Sequence, residues 1–191
     1  MRSSPRPRMR VEGGSARGIE LKAPSSRRVR PTTSLARQAI FSILENSGHE
    51  YGIVLDLFAG TGALGIEALS RGAQRADFVD SSRECCTIIK QNLSRTGFTE
   101  RGHVFCMAAS RAKDVLDLVY DVIFMDPPYD DTTTGSLLAA IERSPLLGED
   151  GLVVVSHGNR HPISDAYGSL FAFKKRRYGD AHIYVYHREE H

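Results

Sequence analysis

No apolar run in the sequence approaches the roughly 18–20 residues that cross a bilayer, and the Arg-rich start is not followed by the apolar core of a secretory signal. Membrane-spanning and exported classes are disfavoured, and the expected location is cytoplasmic. Cysteine is scarce. Cys85, Cys86 and Cys106 are odd in number and two are adjacent, so they read as reduced, buried thiols and not as a disulfide framework. The seven His residues form no HExxH pattern and join no Cys in a zinc-ligand spacing, so no metal is expected. No internal repeat is visible.

What is present is an ordinary globular composition: 191 residues, 41% hydrophobic and 25% charged, enough chain for one domain with a full core. The formal net charge of +2 hides an asymmetry. Residues 1–40 carry nine Arg and one Lys against Glu12 and Glu20, a net of +8, whereas the remaining chain carries 15 basic and 21 acidic residues, a net of −6. Positive charge gathered at one end points to a polyanion, because Lys and Arg that neutralise phosphates release condensed counterions. A solvated tail that aids solubility is the blander reading.

Residues 1–8 are basic and broken by Pro5 and Pro7, which predicts a flexible lead-in. Residues 9–48 form the next unit. Two short alternating segments, around Val11 and at residues 19–21, flank a Gly/Ser-rich turn and predict a small β-hairpin. Arg30-Pro31-Thr32-Thr33-Ser34 then supplies a stop and helix caps, before Leu35, Ala39, Ile40, Ile43 and Leu44 at helical spacing. From residue 49 to 191 the pattern alternates. Strands are predicted at 53–58, 76–80, 103–107, 122–126 and 152–156, with helices at 63–71, 83–96, 112–118 and 136–143 between them. Such alternation implies βαβ crossovers and a doubly wound, mostly parallel α/β sheet of Rossmann-like type. Two further β-rich stretches, 170–176 and 181–187, are joined by Tyr178-Gly179-Asp180 and predict an antiparallel C-terminal hairpin.

Ligands of such a sheet bind at the carboxyl ends of its strands. The run Leu55-Asp56-Leu57-Phe58-Ala59-Gly60-Thr61-Gly62-Ala63-Leu64-Gly65 stands at that position, and Gly60, Gly62 and Gly65 spell GxGxxG. Asp80 lies 20 residues after Gly60, at the end of the next strand, where a carboxylate can accept from ribose hydroxyls. That spacing alone also fits a dinucleotide. Asp56 argues otherwise: just before the glycine turn it would face the negative pyrophosphate of a nicotinamide cofactor, whereas it complements a sulfonium or ammonium. The segment resembles motif I of class I methyltransferases, which implies S-adenosyl-L-methionine as methyl donor and Asp56, Phe58, Ala59, Gly60, Thr61, Gly62, Asp80 and Ser81 as its contacts. After the third strand, where such methyltransferases often place an acidic or amide side chain to accept the adenine amino group, this chain has Ala108-Ala109-Ser110.

The fourth strand runs into Asp126-Pro127-Pro128-Tyr129 at the same sheet edge. Consecutive prolines remove two N–H donors and fix φ, which leaves rigid carbonyl acceptors, and Asp126 adds another. An acceptor-rich cleft suits an exocyclic amino group, both of whose hydrogens it can hold while the nitrogen faces the methyl carbon. Tyr129 offers a stacking face for a base. Asp126, Pro127, Pro128 and Tyr129 are therefore the candidate catalytic residues.

Taken together, Gly13-Gly14, Arg17-Gly18, Arg30-Pro31-Thr32, Arg37, Phe41, the glycine-loop segment from Leu55 to Ala73, DPPY and Tyr178-Gly179 resemble the RsmD family of bacterial 16S ribosomal RNA guanine-N2 methyltransferases. The similarity runs from about Arg10 to Tyr186. It implies a class I methyltransferase domain at 49–191, an RNA-binding hairpin and helix at 9–48, and the N2 of a guanine as acceptor. The implied partner is 16S rRNA in the small ribosomal subunit or its assembly intermediate; nothing in the sequence demands more than a monomer, which is the expected state. Arg10, Arg17, Arg27, Arg28, Arg30 and Arg37 would then hold phosphates, with residues 174–177 extending the surface. The chain departs from the family at Ser34 and Leu35, where an acidic and a basic residue are usual, at Gln38 in place of Glu, and at Asp80 where Glu is common.

Without the resemblance, other readings stay open. DPPY also serves adenine-N6 methyltransferases acting on DNA or RNA. An NAD-dependent dehydrogenase explains GxGxxG and Asp80 but leaves DPPY idle, and a noncatalytic RNA-binding module explains only the arginines. A protein-glutamine methyltransferase would carry Asn where Asp126 stands.

Overall fold

Thr33 starts the first helix: its extended backbone turns into α1 (Ser34–Ser47) and its hydroxyl accepts from the Ala36 N–H, while Gly48 ends the helix at φ 72°. The computed structural model describes residues 9–24, 33–49, 51–128, 130–158, 162–179 and 181–189. Beyond α1 come β1 (Ile53–Leu57), α2 (Ala63–Ser70), β2 (Arg75–Asp80), α3 (Arg83–Thr96), β3 (Gly102–Cys106), a 3-10 turn at Ala109–Arg111, α4 (Ala112–Val115), β4 (Tyr120–Met125), α5 (Thr134–Glu142), β5 (Leu147–Gly158), β6 (Ala166–Tyr167), β7 (Leu170–Tyr178) and β8 (Ala181–Arg188).

The eight strands form one sheet in the order β3-β2-β1-β4-β5-β8-β7-β6. The first five run parallel, and β8, β7 and β6 complete the sheet antiparallel. This is the Rossmann-like, mostly parallel sheet that the alternating pattern predicts. One apolar layer buries Phe41, Ile40 and Leu44 of α1, Ile66 and Leu69 of α2, and Ile89 and Leu93 of α3 against Val54, Phe78, Phe124 and Ile183. The opposite layer seats Ala112 of α4 and Leu137, Leu138 and Ile141 of α5 on Leu55, Leu57, Ile123 and Val153. A sheet covered on both faces explains the near-continuous apolar β1 and β4.

Three details differ from the sequence reading. β5 begins at Leu147, not at residue 152: Leu147 pairs with Tyr120 and Leu152 with Val122, so residues 148–151 are an excursion within one strand. The helix expected at 112–118 is shorter, because Leu116 is already extended at ψ 137°. The hairpin expected after Met9 reduces to one antiparallel bridge, Arg10 with Glu20, supported by Val11 N–H to Ile19 O at 3.0 Å and Leu21 N–H to Met9 O at 2.9 Å.

That N-terminal segment is not loosely attached. Val11, Ala16 and Leu21 are buried in the layer shared with α1, α2 and α3. The Glu12 N–H donates to Glu67 Oε2 at 2.8 Å, Ser15 N–H to Ser70 O at 2.8 Å, and Lys22 N–H to Asn92 Oδ1 at 2.8 Å. Gly14 has φ 74° and lies so close to Ser70 that a Cβ would stand 1.9 Å from its carbonyl oxygen, so only glycine fits there.

Candidate functional site

Three aspartates mark the carboxyl edge of the sheet. Parallel registers align Asp56 of β1 with Phe78 of β2 and Phe124 of β4, so Asp80 at the end of β2 and Asp126 just beyond β4 lie on either side of the loop that leaves β1. Asp56 is 1% exposed, and its Oδ2 accepts from the Gly65 N–H at 3.0 Å, which ties the strand to α2. Asp80 is part-buried. Its Oδ2 accepts from Gly60 N–H and its Oδ1 from Ser82 N–H, both at 2.8 Å, so one carboxylate joins the glycine loop to the start of α3. Ser82 also caps α3 by accepting from Cys85 N–H. Ser81, which the sequence reading expects among the cofactor contacts, stands exposed between Asp80 and Ser82.

The loop between β1 and α2 is held in an unusual backbone. Phe58 has φ 61°, the one positive value of a non-glycine among the described residues, and Gly60 and Gly62 follow at 56° and 78°. A bulky residue held left-handed is strained, and such strain gathers at ligand sites. Ala59 N–H donates to Val79 O, and Gly62 N–H to Ala59 O, which closes the turn. Thr61 is 4% exposed and directs its hydroxyl to Met9 Sδ at 3.3 Å, so a ligand would meet its backbone. Gly65 serves packing: a Cβ there would lie 2.4 Å from the Phe78 ring.

Burial drives the Asp56 carboxyl well above the usual carboxylate range; the Gly65 N–H pulls it back, and the charges of Asp126 and Asp80 push it up further. The Asp126 and Asp80 charges thus both act on Asp56 across the β1 loop. Among the described residues no group of His, Cys, Asp and Glu is set to hold a metal ion.

Beyond β4, Asp126 is part-buried, Pro127 is buried and Pro128 is exposed. The Pro128 carbonyl accepts from the Asp131 N–H at 2.9 Å. Asp131 in turn accepts from the Thr133 N–H at 3.0 Å, the Thr133 hydroxyl at 2.8 Å and the Thr134 hydroxyl at 2.7 Å. Burial would raise the Asp131 carboxyl, but these Thr134 and Thr133 bonds outweigh it and hold the group below its ordinary value. Asp131 therefore orders the loop into α5. Sequence reading missed it, although Asp-x-Thr-Thr is a turn-forming pattern. Tyr129 lies outside the described residues.

The arginines separate into two kinds. Arg17 is exposed, and Arg10 is exposed with an ion pair to Glu20 at 3.7 Å, so both are open to solvent. Arg37 is 1% exposed, and its Nη2 donates to Arg10 O and Glu12 Oε1, each at 3.0 Å. The phosphate contact expected of Arg37 is thereby corrected, because its guanidinium is turned into the core. Ser34 and Gln38 complete the cluster by donating to Glu12 at 2.6 and 3.2 Å. Arg27, Arg28 and Arg30 lie outside the described residues.

A family profile described as "Conserved hypothetical protein 95" matches residues 9–187. The chain is 35% identical over 181 residues to "Putative rRNA methyltransferase YlbH" of Bacillus subtilis, covering 93% of this chain and 98% of that protein. It is 27% identical over 184 residues to "Ribosomal RNA small subunit methyltransferase D" of Escherichia coli, covering 95% and 90%. Its fold superposes on the solved "Putative methyltransferase yhhF" of Escherichia coli with a TM-score of 0.81 at 26% identity, over 96% of this chain and 99% of that one.

Proposed function

The chain belongs to the family described as conserved hypothetical protein 95, which makes it an RsmD-like protein, and from that premise we propose that it transfers a methyl group from S-adenosyl-L-methionine to small-subunit ribosomal RNA. The acceptor in this reading is the exocyclic N2 of a guanine in 16S rRNA, within the small subunit or its assembly intermediate. One observation carries it: Asp56, Asp80 and Asp126 crowd the carboxyl edge of three adjacent strands, and the charges that most shift the buried Asp56 are the other two. A sulfonium and an ammonium would relieve that repulsion. A nicotinamide dinucleotide would add the negative charge of its pyrophosphate, which disfavours the dehydrogenase reading.

The residues fit the donor as a set. The glycine loop, with Phe58, Ala59, Gly60, Thr61 and Gly62, would receive the methionine portion beside Asp56, and Asp80 keeps lone pairs for the ribose hydroxyls beyond its two backbone bonds. Part-buried Met107, whose N–H donates to Asp80 O, offers an apolar wall for the adenine in place of an acidic side chain. Bound there, S-adenosyl-L-methionine supplies an electrophilic methyl carbon on a sulfonium sulfur.

The protein's part is to present the nitrogen. An amino group on a base shares its lone pair with the ring. Asp126 and the Pro127 carbonyl accepting both N–H bonds would draw that nitrogen toward a tetrahedral, nucleophilic shape, since the Pro128 carbonyl already serves Asp131. Tyr129 is assigned the stacking face. Catalysis then comes from alignment and fixed acceptors, with Asp126 placed to take the proton as the nitrogen is alkylated. Arg10, Arg17, Arg27, Arg28 and Arg30 supply phosphate contacts that position the RNA.

Replacing Asp126 tests the assignment. With Asp126→Ala, calorimetric titration of S-adenosyl-L-methionine should still show binding, while single-turnover transfer to unmodified small-subunit particles falls by about 100-fold or more. Transfer retained at the wild-type rate would overturn the role of Asp126.

A further inference from the structure

The outer face of α3 carries Arg83, Thr87, Lys90, Gln91, Ser94 and Arg95 at helical spacing, all exposed. The one carboxylate of this helix, Glu84, stands in its first turn. Lys22 of the N-terminal segment lies against the same face, its ammonium donating to Gln91 Oε1 at 3.0 Å. Lys22, Thr87, Lys90, Gln91, Ser94 and Arg95 together line a cleft of about 470 Å³ whose walls contain no acid. Among the described residues none of Lys22, Arg83, Lys90 and Arg95 is ion-paired.

We propose that this cleft binds the phosphodiester backbone of the substrate RNA, as a second contact region continuous with the methyl-transfer site; the inference rests on the ribosomal RNA reading. Its lining suits that ligand. Two ammonium groups and a guanidinium supply charge, while the Ser94 hydroxyl and the Gln91 amide supply neutral donors, the combination that positions phosphates without reading sequence. The face is also anchored to the site. Asn92 Nδ2 donates to Lys22 O at 3.0 Å and to Thr61 O at 2.9 Å, so Lys22 is tied to the glycine loop. From Ser82, beside Asp80, the helix runs about 21 Å to its end, a span of several nucleotides of extended backbone. An RNA with its target base at Asp126 can therefore pass along α3.

The test uses the full chain with Lys22, Lys90 and Arg95 replaced together by Glu, and in parallel by Gln. Binding to small-subunit particles is measured across a salt series, with cofactor titration as a control for an intact site. Loss of three phosphate contacts should lower the slope of log K against log salt by about 2, and weaken binding at least about 10-fold at low salt, with cofactor affinity unchanged. The Gln variant should lose the same slope with a smaller loss of affinity. Wild-type slope in both variants, with the wild-type protein binding and methylating the particles, would overturn the cleft alone and leave an acidic protein surface as its ligand. A wild-type protein without salt-dependent RNA binding would overturn the ribosomal RNA reading, and this inference with it.

Discussion

At the scale of single residues, Asp56 shows function set against stability. A carboxyl 1% exposed, with two like charges acting on it and one N–H in support, is held above its ordinary value. Because the folded value exceeds the unfolded one of about 3.9, the folded state holds the proton more tightly. The stability this confers is fully present below the unfolded value and is lost as pH rises through the folded value. At neutral pH, without cofactor, Asp56→Asn should therefore raise the melting temperature, and the gain should shrink as pH falls toward 4. The same variant should bind S-adenosyl-L-methionine more weakly by about 10-fold, the cost of one lost charge interaction. Thermal melts over a pH series together with cofactor titration check both statements. A variant less stable at every pH would mean that Asp56 is a structural hydrogen-bond partner and little else.

At the scale of elements, α1 and the N-terminal segment are joined by a buried charge cluster. Glu12 accepts from Ser34, Gln38 and Arg37; burial would raise its carboxyl, but these bonds and the Arg37 charge hold it below the ordinary range. Arg37→Ala removes a buried guanidinium from α1 and one of the three side-chain partners of Glu12, while Glu67 keeps Arg71, and should cost about 1–3 kcal/mol in denaturant unfolding. The salt slope of RNA binding should stay at the wild-type value under conditions where the variant is folded. A flattened slope with unchanged stability would restore Arg37 to the RNA surface. The sequence contained the warning: Arg37 falls three and four positions before Ile40 and Phe41, on the buried stripe of α1. Counting charge within residues 1–40 hid this, because a sum does not say which face a guanidinium occupies. The positions departing from the family pattern, Ser34 and Gln38, are two of the partners that Glu12 uses.

At the scale of the whole molecule, the βαβ order was legible because apolar runs and helical stripes alternate at a clean spacing. The convergence of Asp56, Asp80 and Asp126 at one edge follows from the parallel pairing of β2, β1 and β4, whose carboxyl ends share that edge. Less was legible where backbone pairing outranks side-chain pattern. The Leu147 start of β5 depends on an excursion that no periodicity signals, and the two-residue β6 is too short to show any. The N-terminal loop alternates like a hairpin, yet its apolar residues pack on α2 and α3, so a single bridge suffices. The basic face of α3 escaped attention because its cations are spread at helical spacing and joined in space by Lys22. In the proposed reading, acid at the carboxyl edge meets a cationic methyl donor, and cations at the N-terminal segment and along α3 meet a polyanion. The most direct measurement supplies methyl-labelled S-adenosyl-L-methionine and unmodified small-subunit particles, then digests the rRNA and identifies the labelled nucleoside. N2-methylguanosine is the expected product; label in N6-methyladenosine, or none in any nucleic acid, would overturn the assignment of guanine N2 as acceptor.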